Sequence, residues 1–564
     1  MENKEYMLID GNPVEINGEK NLLEVIRKAG IELPTFCYHS ELSVYGACRM
    51  CMVENSHGGM EAACSTVPKA GMEIYTNTER LHKHRKMILE LLLANHCRDC
   101  TTCQKNGKCR LQELASLFGL ESIRFKNLKP EPELDTSSLS IIRDAHKCIL
   151  CGDCVRMCNE IQNVGAIDFV NRGSKMVIGP AFNEPIANSP CVGCGQCAAV
   201  CPTGAIVIRK DTGRVWPELN DKNTKVVAQV APAVRVAMAK EFGLPENENS
   251  MGRITAALRR LGFDEVYDTA TGADLTVLEE SNEFLQRIEA GENLPLITSC
   301  CPAWIQYCEK NHPELMKNVS TCKSPMQMFS SVIKAKYATS SRRVVCVAVM
   351  PCTAKKFECA REEFMHDGVP ETDYVITTQE LIQMIHKAGI VFEELEPEAV
   401  DSVFSTCTGA GVIFGVTGGV TEAVLRRLST DKSNKALMSI AFNDVRGMKG
   451  VKETTIPYGD KEVRIAIVSG LKNAESVIQA LKNGEHYDFI EVMACPGGCV
   501  AGGGQPFGTN ATKEVRGKAL YSADKMLSIK RSEENPLMIS LYDGVLKGRV
   551  HELLHVHYNH KEDE

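Results

Sequence analysis

No stretch of this 564-residue sequence is apolar for long enough to span a bilayer: Ile88 to Ala94 is too short, and Val226 to Ala239 is broken by Pro232 and Arg235. The opening residues, MENKEYMLID, carry mixed charges and no apolar h-region, so no secretory leader is expected. Long tails of one charge sign are also missing. With 64 basic against 72 acidic side chains, net −8, there is no basic excess, which argues against a nucleic-acid partner. No G-x-G-x-x-G unit follows a strand, so a pyridine nucleotide would need a partner subunit. A cytoplasmic protein with no membrane attachment is expected.

Cysteine, by contrast, is present in excess: 26 residues, most of them in C-x-x-C groups. Without a secretory start, such usage points to metal centres in a reducing compartment, with disulfides the poorer alternative. Composition is otherwise globular, 44% hydrophobic and 24% charged, and the length calls for several domains.

Three segments share one design, an apolar strand followed by cysteine. EVMACPGGCVAGGGQP (Glu491 to Pro506) follows the run Phe489, Ile490, Val492 and carries Cys495 and Cys499 in a loop whose glycines let backbone approach a ligand closely. LPLITSCCPAW carries Cys300 and Cys301, and RVVCVAVMPCTAKKFE carries Cys352 after a clear buried-strand pattern. Cysteines at the ends of several strands converge in an α/β fold. Cys301, Cys352, Cys495 and Cys499 can then supply the four thiolates of one Fe-S cube, leaving Cys300 as a spare thiol beside it.

TSCCPAW, MPCTAKKFE and EVMACPGGC, in that order, resemble the three signature segments of the FeFe-hydrogenases, most closely the long clostridial type with four accessory clusters. The resemblance implies an H-cluster: a 4Fe-4S cube on those four cysteines, bridged by one of them to a two-iron unit carrying carbon monoxide, cyanide and a dithiolate. It implies the reaction 2H⁺ + 2e⁻ ⇌ H₂, a ferredoxin or similar low-potential carrier, and maturase proteins as transient partners. By the same resemblance Cys300 is the first proton-relay group, Glu280, Ser320 and Glu283 continue the path outward, and Arg287 holds its outer end. Lys355 matches a lysine that donates to an iron-bound cyanide, Met350 and Met493 match active-site walls, and Glu358 supports the loop. Read without the family, Glu280, Glu283 and Arg287 at i, i+3 and i+7 make a solvated charged stripe on a helix, Lys355 is a surface lysine, and the two methionines are plain core.

The N-terminal third is read as an electron wire. YMLIDGNPVEIN is a hairpin turning at Asp10-Gly11, followed by a helix from Asn21 to Ala29. Cys37, Cys48, Cys51 and Cys64 suit a 2Fe-2S pair, with zinc the alternative that spacing does not exclude. A basic helical stretch from Thr78 leads to H-x3-C-x2-C-x5-C, namely His96, Cys100, Cys103 and Cys109. Cys97 competes with His96 for the fourth position, and the resemblance favours His96, since complex I electron-input chains carry the same site. NLKPEPELDTSS (Asn127 to Ser138) reads as a linker. Two C-x2-C-x2-C-x3-C runs follow. By the two-cluster rule Cys148, Cys151, Cys154 and Cys201 hold one 4Fe-4S cube, and Cys191, Cys194, Cys197 and Cys158 the other.

The expected architecture is multidomain α/β: ferredoxin-like N-terminal Fe-S domains, then a two-lobed α/β catalytic domain with parallel sheets. Its parts are a plant-ferredoxin-like domain over 1–79, a His/Cys-ligated 4Fe-4S domain over 80–126, a bacterial-ferredoxin-like domain over 139–209, an H-cluster domain over 210–515, and a small-subunit-like helical extension over 516–564. Six cysteines remain, Cys97, Cys308, Cys322, Cys346, Cys359 and Cys407, read as small buried hydrophobes. Cys322 and Cys407 stand where the family leads one to expect a small non-thiol residue, and Met326 where Gln is common. TERLHKHRK and KNGKCR are candidate docking patches for an acidic ferredoxin, with a solvated face as the plain alternative. Two competing functions are an electron-transfer subunit of a larger dehydrogenase complex and a non-catalytic Fe-S assembly or sensor relative.

Overall fold

The protein is described by a computed structural model covering residues 5–127, 133–429, 445–448, 450–458 and 461–558. Part of the linker expected over Asn127 to Ser138, residues 128–132, lies outside the described residues. Two compact units emerge: Met1–Ile161 with Gly165–Ser189 and Val200–Val207, and Gln162–Val164 with Pro190–Ala199 and Ile208–Glu564.

The first unit opens with the expected hairpin. Strand Glu5–Ile9 pairs antiparallel with Asn12–Ile16 across Asp10 and Gly11, both at positive φ (49° and 82°), the turn geometry that matches strand twist. Glu5–Ile9 also pairs parallel with Glu73–Tyr75, and Met52–Asn55 and Met60–Ala62 complete a five-stranded sheet. Helix Leu22–Lys28 starts where the Asn21 side chain accepts the Glu24 amide and buries Leu22, Leu23, Val25 and Ile26 on the sheet. Helix Glu79–Ala94 is capped by Thr78. Its Arg85, counted above in a surface patch, is buried and donates to the carbonyls of Met50, Met52 and Thr76 at 3.3, 2.8 and 3.0 Å. It ties down the backbone on both sides of Cys51, because three carbonyls without strand partners need a donor.

Among its described residues the second unit contains two four-stranded sheets, besides a small ribbon of Met365–His366 and Val369–Pro370. One is wholly parallel, in the order Glu265–Asp268, Thr224–Val230, Arg343–Met350, Tyr374–Thr377. The other runs Leu296–Ile297, Phe489–Met493, Lys461–Ser469, Val451–Tyr458, parallel except for its last, antiparallel edge strand. Apart from that edge strand, the strands are largely buried on both faces, which is why the sequence shows continuous apolar runs there rather than alternation. Helix Ala270–Ala290 carries Glu280, Glu283 and Arg287. Three helices, Asn510–Met526, Pro536–Asp543 and Val550–Leu554, follow, and residue His555 bridges antiparallel to Cys322. Among the described residues no helix is long and apolar enough to cross a membrane.

Candidate active site

Strands from both sheets of the second unit end at one cavity of about 90 Å³. Its lining includes Cys300, Cys301, Cys352, Cys495 and Cys499, so all five thiols singled out in the catalytic segments meet there. Met350 and Met493, the last residues of their strands, and Lys355 line it too, as does Met326. The Cys495–Cys499 loop lies hard against a neighbouring strand end. A side chain at Gly502 would come 2.3 Å from the Pro351 carbonyl oxygen, and one at Gly498, at φ +89°, would come 2.6 Å from the Thr417 amide. Pro302 at the start of helix Pro302–Asn311 turns the chain immediately after Cys301. The Ala494 amide donates to the Cys301 sulfur at 3.4 Å.

Lys355 is buried rather than on the surface. Its ammonium sits 2.7 Å from Glu358 Oε2 and donates to the Cys300 carbonyl at 3.3 Å. Burial alone would lower its pKa, but the Glu358 carboxylate outweighs burial and keeps the ammonium above its ordinary value. Four thiols that converge, one spare thiol and one buried cation in a largely apolar cavity form a donor set suited to an iron-sulfur cube with an attached iron unit.

The supposed solvated stripe is buried. Glu280 has no exposed surface, and neither of its oxygens completes a well-formed hydrogen bond. Burial, reinforced by the charge of Glu283, pushes its carboxyl up to about 8, against the lesser pull of the Ser320 hydroxyl and the Ser299 amide. The Ser320 hydroxyl donates to Glu283 Oε2 at 2.7 Å, and Glu283 Oε1 meets Arg287 Nη2 at 2.6 Å. Arg287 also donates to the carbonyls of Asn293, Asn318 and Val319, which fixes the guanidinium as a cap over the carboxylate. Ser320, Glu283 and Arg287 of the outward residues implied by the resemblance are thus linked by contacts, and Glu280 is buried on the same helix as Glu283 and Arg287.

Within the accessory cysteine sets, several members lie close to one another. In the first unit the thiols of Cys37 and Cys48 interact, as do those of Cys51 and Cys64, and Cys64 senses the charges of both others. Cys109 is coupled to Cys103 and Cys100, whereas Cys97 faces Lys147, Asp99 and Asp144. The Arg98 amide donates to His96 Nδ1 at 3.0 Å, and Nε2 is buried. Cys148, Cys151, Cys154 and Cys201 line a cavity of about 20 Å³. This is the crossed grouping of the two-cluster rule. Cys158 lies on the π-helical turn Met157–Ile161 of the first unit. In the second unit Cys194 is coupled to Cys191 and Cys197, and also to Cys495. Among the described residues no group of three or more His, Cys, Asp or Glu closes tightly enough for a single metal ion.

Sequence reasoning did not single out Gln196, which donates to the Cys495 sulfur at 3.1 Å and to the Ala501 carbonyl at 2.9 Å. It sits between Cys194 and Cys197, a position that carries no motif of its own.

Cysteine sets of this kind, joined to a two-sheet α/β body with a sulfur-lined cavity at its strand ends, define an iron-sulfur oxidoreductase. Comparison with known proteins makes the class specific. Residues 224–503 match the model for the iron only hydrogenase large subunit, C-terminal domain, and 510–561 the iron hydrogenase small subunit. Residues 6–79 match a 2Fe-2S iron-sulfur cluster binding domain, 85–124 the NADH-ubiquinone oxidoreductase-G iron-sulfur binding region, and 147–209 a 4Fe-4S dicluster domain. The chain belongs to the FeFe-hydrogenase family. It is 41% identical to the NADP-reducing hydrogenase subunit HndD of Solidesulfovibrio fructosivorans, covering 98% of both chains, and 35% identical to iron hydrogenase 1 of Clostridium pasteurianum, covering 98% of this chain and 99% of that one. A solved structure of HydA(deltaEFG), described as revealing stepwise [FeFe]-hydrogenase H-cluster assembly, aligns with a TM-score of 0.54 at 37% identity over 62% of this chain and 98% of that one.

Proposed function

We propose that the chain catalyses 2H⁺ + 2e⁻ ⇌ H₂ at an H-cluster held by Cys301, Cys352, Cys495 and Cys499, with four accessory clusters carrying electrons to or from a ferredoxin or similar carrier. The observation that carries this reading is the meeting of five catalytic thiols, Lys355, Met350 and Met493 around one cavity, with a buried line of proton-handling groups beside it. An H-cluster held by these cysteines would supply the Lewis-acidic iron and the basic amine that heterolytic cleavage of hydrogen needs.

The protein's own task is to move that proton and exclude water. Cys300 hands it to Glu280, which burial keeps ready to hold a proton near neutral pH. Ser320 accepts the amide of Cys322 and donates to Glu283, so its hydroxyl is oriented for a hop outward. Arg287 then holds the Glu283 carboxylate in place at the outer end of the path. Met350, Met493, Met326 and Phe414 supply soft or apolar wall, which strengthens every charge interaction inside.

Infrared spectroscopy of the anaerobically matured chain tests the reading, because metal-bound carbon monoxide and cyanide absorb where protein does not. The expected result is such bands in both the unaltered chain and Cys300→Ala, with hydrogen turnover lost in the variant. Their absence, when a control hydrogenase matures in parallel, overturns it.

A second reading concerns the carrier. The full-length likeness to a subunit of an NADP-reducing hydrogenase favours membership of a nicotinamide-linked complex. Purified alone, the chain would then evolve hydrogen from a reduced dye but leave NADP⁺ untouched until partner subunits are added. Efficient turnover with ferredoxin alone supports the self-sufficient form.

A further inference from the structure

We propose that Cys322 is a positioning residue for the outer relay carboxylate, its thiol helping to fix the orientation of Glu283. The proposal rests on the relay reading above and concerns a residue that no motif explains.

The two oxygens of Glu283 have different company. Oε1 accepts Arg287 Nη2 at 2.6 Å and the Thr321 amide at 3.1 Å. Oε2 accepts the Ser320 hydroxyl at 2.7 Å, the Thr321 amide at 3.1 Å and the Cys322 thiol at 3.7 Å. Ser320 is the relay member next inward, so the thiol contacts the oxygen that receives the proton rather than the one held by the guanidinium. The same residue acts a second time, since the Cys322 amide donates to Ser320 Oγ at 3.1 Å. Cys322 therefore touches both halves of the outer hop.

Its backbone is held firmly enough for that contact to matter. The Ser299 hydroxyl donates to the Cys322 carbonyl at 2.5 Å. On the other side, the Val556 amide donates to the Thr321 carbonyl at 2.7 Å and the Lys323 amide to the Leu554 carbonyl at 2.8 Å, while the Thr321 hydroxyl meets His555 Nδ1 at 2.9 Å. The side chain is fully buried at the border of an apolar cluster that includes Leu275, Leu278 and Met328. A thiol suits this border because it packs as a hydrophobe on one side and donates weakly on the other. Burial, with the charges of Glu283, Glu280 and Glu279, pushes the thiol well above its ordinary pKa, so it remains a donor over the working range.

A donor to a carboxylate oxygen restricts how that group can turn, so the thiol helps hold Glu283 Oε2 toward Ser320. The other charged groups facing Glu283 are Glu279, Glu280 and Arg287 on its own helix. From the C-terminal segment His555 and Tyr542 reach Glu279, and Arg427 acts on it from the helix Gly419–Leu428.

The test compares Cys322→Ala and Cys322→Ser with the unaltered matured chain. Alanine is expected to shift the turnover pH profile by about half a unit, the order expected for losing one weak donor to a charged group, with the KM for the electron carrier unchanged. Serine, which keeps a donor, is expected to move it less. A second readout needs no turnover and survives failure of the hydrogenase reading. The S–H stretching band obtained by subtracting a Cys322 variant from the unaltered chain should lie at a hydrogen-bonded frequency and relax in Glu283→Gln. If alanine prevents folding, Cys322→Ser serves for the subtraction. A band at the free-thiol frequency that ignores Glu283→Gln, a pH profile unmoved by alanine, or an equal shift with serine and alanine, each overturns the proposal.

Discussion

Gln196 Nε2 donates to the sulfur of Cys495 at 3.1 Å, so a residue flanked by Cys194 and Cys197 touches a cysteine of the catalytic cavity. Hydrogen bonds to cluster sulfurs stabilise the more reduced, more negative state and raise the potential. Gln196→Leu is therefore expected to lower the potential of the cube on Cys495 by tens of millivolts, roughly what one charge-assisted hydrogen bond is worth in a one-electron couple. Redox titration followed by electron paramagnetic resonance reads it directly. An unchanged potential would mean that the contact is only packing.

Glu280 offers a paired prediction in activity and stability. Glu280→Gln keeps shape but cannot carry a proton, and hydrogen turnover should fall roughly 10²–10⁴-fold with the accessory clusters intact. Because burial raises the folded pKa from an ordinary 4.5 to about 8, the folded state holds a proton that the unfolded state has released. The stability tied to that proton is complete below about 4.5 and is lost as pH rises to about 8. Gln does not ionise, so the variant should melt higher than the unaltered chain at pH 8 and nearly alike at pH 5. The difference is on the order of a few kcal/mol. Melting curves across that range, recorded on matured protein, decide it.

The ion pair between Lys355 and Glu358 separates chemistry from folding. Their side chains are only 10% and 3% exposed, so Lys355→Ala leaves a buried carboxylate without its cation, a loss of about 3–5 kcal/mol. In the double variant Lys355→Met with Glu358→Leu, most of that stability should return, since removing both charges removes the desolvation cost. Activity should not return, because the cation facing the cavity is still missing. Recovery of both would make Lys355 a structural residue only.

Much of this was legible because particular residues leave little choice. Asp10-Gly11 allowed one kind of turn, Asn21 marked a helix start within one residue, and the two C-x2-C-x2-C-x3-C runs named the four cysteines that line one cavity. The antiparallel edge Val451–Tyr458 was not read, since an edge strand with one wet face lacks the strong apolar signal of its neighbours. Charge misled in both directions. Glu280, Lys355 and Arg85 have the composition of surface residues and are buried, each placed by partners far along the chain or by a cavity that composition does not reveal. Only resemblance to the family drew the first two toward the site. Cys322 and Gln196 could not be read at all: the contact of Cys322 with Glu283 spans 39 residues and that of Gln196 with Cys495 spans 299.

Truncation tests the role of the C-terminal segment. Removing the residues after Arg549 takes away His555, Val556 and the Leu554 carbonyl, and with them three of the bonds that hold Thr321, Cys322 and Lys323. Proton-limited turnover should fall while cluster content, measured as iron and sulfide per chain, stays close to normal. Loss of the clusters in parallel would assign the segment a general folding role instead.

Thr321 and His555 meet across 234 residues of sequence. The clasp beside the proposed outer proton path is thus closed by a segment synthesised long after the residues it holds, so this part of the path takes shape only once both stretches of chain exist.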